Sequence, residues 1–100
     1  MSHTHIRTAV VTGAAMGIGR AIALRLAADG CAVIVNDLPA NAPALHELVG
    51  EIERTGAKAR AFPADVTVEE SVRQLVQTAM DAFGGIDIVS PWPWYAGTFT

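Results

Sequence analysis

Two groups of residues have types and spacings that can do chemistry. The first is Thr12-Gly13-Ala14-Ala15-Met16-Gly17-Ile18-Gly19. An apolar run, Ala9-Val10-Val11, leads into it, and Ile18, Ile22 and Leu26 follow at helical spacing, so the pattern predicts strand, glycine turn, helix. Gly13 can take a φ that a side chain would forbid, while Gly17 and Gly19 keep Cβ atoms away from an approaching ligand and a packed neighbour. A helix starting near Gly17 leaves its first amides unpaired and points its positive end at the turn, which makes a site for a pyrophosphate. Glycine turns also serve plain packing, but a strand before and a helix after favour the anion site. No Gly-Lys-Ser/Thr closes the turn, so it is not a triphosphate loop.

The second group is acidic. Asp37 lies eighteen residues after Gly19, at the end of the apolar run Cys31-Ala-Val-Ile-Val35. In a dinucleotide-binding fold that position puts a carboxylate near the adenosine ribose, where it can accept hydroxyl protons and repel a 2′-phosphate. Leu38 follows it, and the turn offers only Ala14, Ala15 and Met16, so no cation awaits such a phosphate there. The charge logic favours the non-phosphorylated cofactor; the plain alternative is a surface aspartate ending a strand. Asp65, with Val66 beside it, sits one element later, at the strand edge where ligands of open α/β sheets bind. It either accepts a proton from an adenine amino group while Val66 lines the ring pocket, or stabilises the dipole of the helix that follows.

These groups need a frame to hold them. The first strand is expected over residues 6–12 and the first helix over 18–29, stopping at Gly30. The second strand spans 31–35 and reads as buried on both faces, as in parallel sheets. Asn36 and Asp37 end it. Asn41 is placed to cap a second helix with Pro43 in its first turn and Leu45, Leu48, Val49 and Ile52 on one face, ending at Gly56. Residues 58–62 form a weaker third strand, away from the sheet centre, ended by Pro63. Thr67 with Glu70 reads as a capping box for a third helix that presents Val72, Leu75, Val76, Ala79 and Phe83 on one side. Gly84-Gly85 close that helix, and Ile86 to Val89 begin a fourth strand. The alternation implies right-handed βαβ units around a parallel sheet, an α/β class with flanking helices.

Composition bounds the function. One hundred residues make one domain at most, and with 51% hydrophobic and 17% charged residues the chain is built for burial. A formal net charge of -3 and scattered basic residues argue against a nucleic-acid partner. No apolar run approaches a membrane span, and Ser2-His3-Thr4-His5 carries no secretory pattern, so the expectation is a cytoplasmic protein without membrane contact. Cys31 stands alone and reads as a buried small hydrophobe; His3, His5 and the distant His46 suggest no metal site.

From residue 6 to residue 89 the chain resembles the N-terminal half of a short-chain dehydrogenase/reductase. Thr12-Gly13-x-x-x-Gly17-Ile18-Gly19, Asp37 and Asp65-Val66 carry the resemblance. It implies a Rossmann-like sheet of order 3-2-1-4, truncated after the fourth strand, and hydride transfer between a nicotinamide cofactor and an alcohol or carbonyl group. By that resemblance Thr12 braces the turn, Ile18 lies under the nicotinamide-side phosphates, and Asp37 implies NAD. The family's usual Asn-Asn-Ala-Gly is displaced here by Ser90-Pro91-Trp92-Pro93-Trp94-Tyr95, ahead of Ala96-Gly97. The reading therefore divides the chain into a partial dinucleotide-binding domain, 1–89, and an atypical Pro/aromatic-rich tail, 90–100.

The family's reaction uses a serine and a tyrosine with a lysine four residues beyond it. Tyr95 is the only tyrosine, Phe99 stands four residues on, the one lysine is Lys58, and Ser90 lies too early. No catalytic residue is assigned, and the hundred residues alone are expected to be inactive. An exposed fourth strand would recruit either a second copy or a complementing chain. Two other readings stay open, a non-catalytic dinucleotide-binding subunit and a non-functional truncated product.

Overall fold

The computed structural model describes residues 6–90. The terminal His3 and His5, and the stretch containing Trp92, Trp94, Tyr95 and Phe99, lie outside the described residues. Strands and helices alternate: β1 (Thr8–Val11), α1 (Gly17–Ala28), β2 (Ala32–Asp37), α2 (Ala42–Glu53), β3 (Ala59–Pro63), α3 (Glu69–Phe83) and β4 (Ile88–Ser90). A single 3₁₀ turn, Pro39–Asn41, leads into α2. All three strand pairings are parallel, and the sheet order is β3-β2-β1-β4, as the alternation and the resemblance imply. The weaker third strand is an outer one.

The two faces of the sheet are covered unequally. Ala9, Val11, Val33 and Val35 point to one face and meet Ala23 and Ala27 of α1 and Leu45, Leu48 and Ile52 of α2. Val10 and Ile34 point to the other and meet Leu75 and Ala79 of α3, with Phe62, Phe83 and Ile86 around them. The two-residue period of the strands makes this division, and burial on both faces explains why the second strand reads as an unbroken apolar run. Val76, expected on the inward side of α3, is instead 40% exposed, and Met80, one turn on, is 51% exposed. One helix on that face buries only the row centred on Leu75 and Ala79.

Several local expectations shift. β2 runs through Asn36 and Asp37, because both remain paired with β3, opposite Phe62 and Pro63. Pro63 therefore occupies the last ladder position of an outer strand, where a missing amide is tolerated. The capping box does not form: α3 starts at Glu69 with Val68 as its uncapped N-terminal residue. The Thr67 hydroxyl donates to Asp65 Oδ1 at 2.6 Å instead, leaving Glu69 and Glu70 to face the helix dipole. Asn41 precedes α2 as expected but makes no capping bond. Gly30 and Gly84 take φ of +98° and +85°, ending α1 and α3 in the left-handed region that favours glycine.

Candidate functional site

The turn between β1 and α1 is built from the inside out. Ala14 and Ala15 are buried and pin it into the core, and the Ala14 amide donates to the Asn36 carbonyl at 2.8 Å. Thr12, nearly buried, donates its amide at 3.3 Å and its hydroxyl at 3.4 Å to the Ser90 carbonyl. The turn is thus tied to both strands that flank β1. Gly13 and Gly17 take φ of +66° and +62°, and a Cβ on either would meet nothing within 4 Å. The space in front of them is open. Gly19 has the opposite reason to be glycine: a Cβ there would stand 2.1 Å from the Gly13 carbonyl oxygen. Its absence lets α1 rest on the turn. At the amino end of α1 no side chain caps the helix and no acidic residue lies in the first turn, so its positive end is not neutralised locally. Ile18 is 73% exposed beside it.

Asp37, the last residue of β2, leans over this turn. Its Oδ2 accepts from the Ala15 amide at 3.0 Å, and its Oδ1 accepts from the Leu38 amide at 2.8 Å and from Asn41 Nδ2 at 2.9 Å. Partial burial pushes the carboxyl pKa upward, but the bonds from Asn41, Ala15 and Leu38 outweigh it and hold the group below the usual carboxylate range. Asp37 is therefore a fixed negative charge at neutral pH. Arg20, the first basic residue of α1, is committed to Glu51 on α2 at 2.6 Å.

Asp65 and Val66 follow β3 at the same edge. The Ala64 amide donates to the Asp37 carbonyl at 2.9 Å, carrying the β3 terminus to the β2 terminus. Asp65 is exposed, and its Oδ1 takes both the Thr67 hydroxyl and the Thr67 amide, which lowers its pKa. Val66 is half-buried against the α3-side core. The structure thus brings the glycine turn, Asp37 and Asp65-Val66 to one place, the carboxyl ends of β1, β2 and β3.

Two further residues hold this edge together, and the sequence pattern gave neither that role. Asn36 is 2% exposed, and its Nδ2 donates to the carbonyls of Phe62 at 2.7 Å and Ala64 at 3.1 Å. Asn41 reaches across to Asp37 rather than capping α2. An amide side chain near the carboxylate expected at the ribose is the available signal, but only the fold shows which way each amide turns. A cleft of about 390 Å³ bordered by Ala27, Cys31, Thr55 and Lys58 lies at the opposite, amino end of the strands. Lys58, the one lysine, is therefore remote from the glycine turn. Among the described residues, no helix is long and apolar enough to cross a membrane.

Known proteins resemble this chain in sequence and fold. Residues 7–91 match the family model described as short chain dehydrogenase. A short-chain dehydrogenase/reductase of Hericium erinaceus is 49% identical over 83 residues, covering 81% of this chain and 33% of that protein. A hydroxynaphthalene reductase-like protein of Metarhizium robertsii is 48% identical over 83 residues, 83% of this chain and 31% of that one. The crystal structure of a hydroxysteroid dehydrogenase from Escherichia coli superposes with a TM-score of 0.77 at 37% identity, covering 83% of this chain and 34% of that chain. The chain spans about a third of the length of the curated relatives it matches. Its fold is the Rossmann-type, dinucleotide-binding α/β fold of the dehydrogenases, and the chain belongs to the short-chain dehydrogenase family.

Proposed function

We propose that these residues form the NAD-binding portion of a short-chain oxidoreductase that moves a hydride between a nicotinamide cofactor and an alcohol or carbonyl group. The observation that carries this reading is the Asp37 carboxylate, held ionised and anchored to the glycine turn by the Ala15 amide. Open space in front of Gly13 and Gly17, beside an uncapped helix terminus, suits a pyrophosphate. In this reading Thr12, Gly13, Gly17, Ile18 and Gly19 form the phosphate cradle, Asp37 accepts from the ribose, and Asp65 and Val66 border the adenine. With Arg20 paired to Glu51 and Leu38 following Asp37, the ribose end carries a fixed negative charge, which favours NAD over its 2′-phosphorylated form.

When bound, the nicotinamide supplies the hydride donor or acceptor; the chain's own part is to grip and orient. Among the described residues no acid–base pair stands beside the grip. Lys58 sits at the far end of the sheet, and Phe99 occupies the position four residues after Tyr95. The groups that move the substrate proton therefore belong to sequence beyond these hundred residues, and these residues alone bind without turnover. The outer strand β4, covered on one side by β1, is where a complementing segment or a second copy would pair. Calorimetric titration with NADH and NADPH, beside an absorbance assay for alcohol oxidation, tests this. Tighter NADH binding without turnover supports the reading; turnover by the hundred residues refutes it.

A further inference from the structure

Three donors of the chain itself hold the Asp37 carboxylate: the amides of Ala15 and Leu38 and the Nδ2 of Asn41. An ionised carboxylate offers about four acceptor positions. Ala15 takes one on Oδ2, and Leu38 with Asn41 takes two on Oδ1, leaving room for one further donor on Oδ2. Two of the holders are backbone groups fixed by the fold. Asn41 is the one side chain among them, four residues along, immediately before α2.

Asparagine is favoured before a helix because its side-chain oxygen accepts from an amide of the first turn. Asn41 forgoes that bond and directs its nitrogen to Oδ1 at 2.9 Å, a charge-assisted contact. Without it, Oδ1 would keep only the amide of the adjacent residue, and the carboxyl group, held by two backbone amides alone, would be less firmly fixed about its side-chain torsions. With it, both oxygens are fixed, Oδ1 by Leu38 and Asn41 and Oδ2 by Ala15 at the glycine turn.

We propose that Asn41 is a specificity-determining positioning residue, which fixes the Asp37 carboxylate so that its one remaining acceptor position meets a ribose hydroxyl and its charge stands against a 2′-phosphate. The proposal rests on the ribose-binding role given to Asp37 above. A pinned carboxylate rewards the hydroxyl with a bond that needs no further ordering and cannot swing aside to admit a phosphate. A loosened one does both jobs less well, so losing Asn41 weakens NADH binding more than NADPH binding.

The test uses the full chain and three variants, Asn41→Ala, Asn41→Asp and Asn41→Gln. Two quantities are read: the Asp37 carboxyl titration by carbon-13 NMR without ligand, and the dissociation constants of NADH and NADPH by calorimetry. Asn41→Ala should move the Asp37 midpoint up toward its ordinary value and reduce the NADH preference by roughly fivefold, the scale of one partly exposed hydrogen bond to a charged group. Asn41→Asp separates positioning from capping. Aspartate caps a helix about as well as asparagine, so a capping role leaves both readouts unchanged, whereas the positioning role predicts a larger loss than with alanine, because a like charge faces Oδ1. Asn41→Gln keeps the amide and should recover part of the preference. An unmoved Asp37 titration in the Ala and Asp variants, or an unchanged NADH-to-NADPH ratio, overturns the proposal. A parent chain that binds neither dinucleotide overturns the ribose reading instead, and the ligand-free titration distinguishes that failure from loss of the Asn41 contact.

Discussion

Replacing Gly19 with alanine tests whether the close approach of α1 to the glycine turn is real. A Cβ at this position would stand 2.1 Å from the Gly13 carbonyl oxygen, 2.8 Å from the Gly13 carbonyl carbon and 3.2 Å from Ala14 Cα. The shortest of these is more than about 1 Å inside the closest ordinary carbon–oxygen approach. All three atoms are backbone, so no side chain can swing away, and the turn and the helix must separate. Overpacking costs about 1–3 kcal/mol where neighbours can adjust, and this site belongs at the upper end. Alanine's better helix propensity returns about 1 kcal/mol. The net loss is about 2 kcal/mol, which for a domain of this size lowers Tm by about 10 °C. Gly50→Ala in α2 is the matched control. Its Cβ would meet only Arg54 Nη1, at an ordinary 3.7 Å, so the propensity gain is undiminished and Tm should rise by about 4 °C. Thermal unfolding followed by circular dichroism reads both. A Gly19→Ala protein that melts at or above the parent temperature, with Gly50→Ala behaving as stated, would rule out the tight contact between α1 and the turn.

Other consequences follow from the same geometry. Gly17→Ala should cost only about 1–2 kcal/mol of stability, from its positive φ, because its Cβ meets no protein atom; it should nevertheless weaken NADH binding, measured by calorimetry, by occupying the open space. Because the folded-state pKa of Asp37 is lowered, its stabilising contribution is complete above the ordinary value near 3.8 and disappears as pH falls through the lower folded value. The difference in urea midpoint between parent and Asp37→Asn should therefore shrink from about pH 6 to about pH 2. Leu75→Ala, at a site 7% exposed, should cost about 2–4 kcal/mol by urea unfolding, whereas Val76→Ser on the exposed face of the same helix stays within about 0.5 kcal/mol. Arg20→Ala should cost less than about 1 kcal/mol despite the 2.6 Å bond to Glu51, since both side chains are 37% exposed, and the cost should fall further in salt.

The parts of the molecule legible in the sequence are those fixed by periodicity and by backbone demands. Alternating apolar runs and helical stripes define the element order, and the glycines at 13, 17 and 19 mark the turn because no other residue suits those positions. Asp37 is legible because the end of a strand fixes where a side chain stands. What the pattern does not disclose is which partner a polar side chain bonds. The Thr67 hydroxyl donates to the Asp65 carboxylate, and its oxygen does not cap α3. The Asn41 Nδ2 donates to Asp37, and its side-chain oxygen makes no capping bond. In both cases the charged partner gives the stronger bond, and it lies close by in the chain, Asp65 two residues before Thr67 and Asp37 four residues before Asn41. Val76 is a different case: a helical stripe states which residues are apolar, not how much of the stripe its neighbours cover.

The central claim, that the glycine turn and Asp37 together grip an adenine dinucleotide, is tested most directly by a two-dimensional amide NMR spectrum of the isotopically labelled chain with and without NADH. Dispersed peaks are expected, with shifts concentrated at Gly13, Ala15, Gly17, Gly19 and Asp37. A dispersed spectrum in which NADH leaves those five amides unmoved would contradict it.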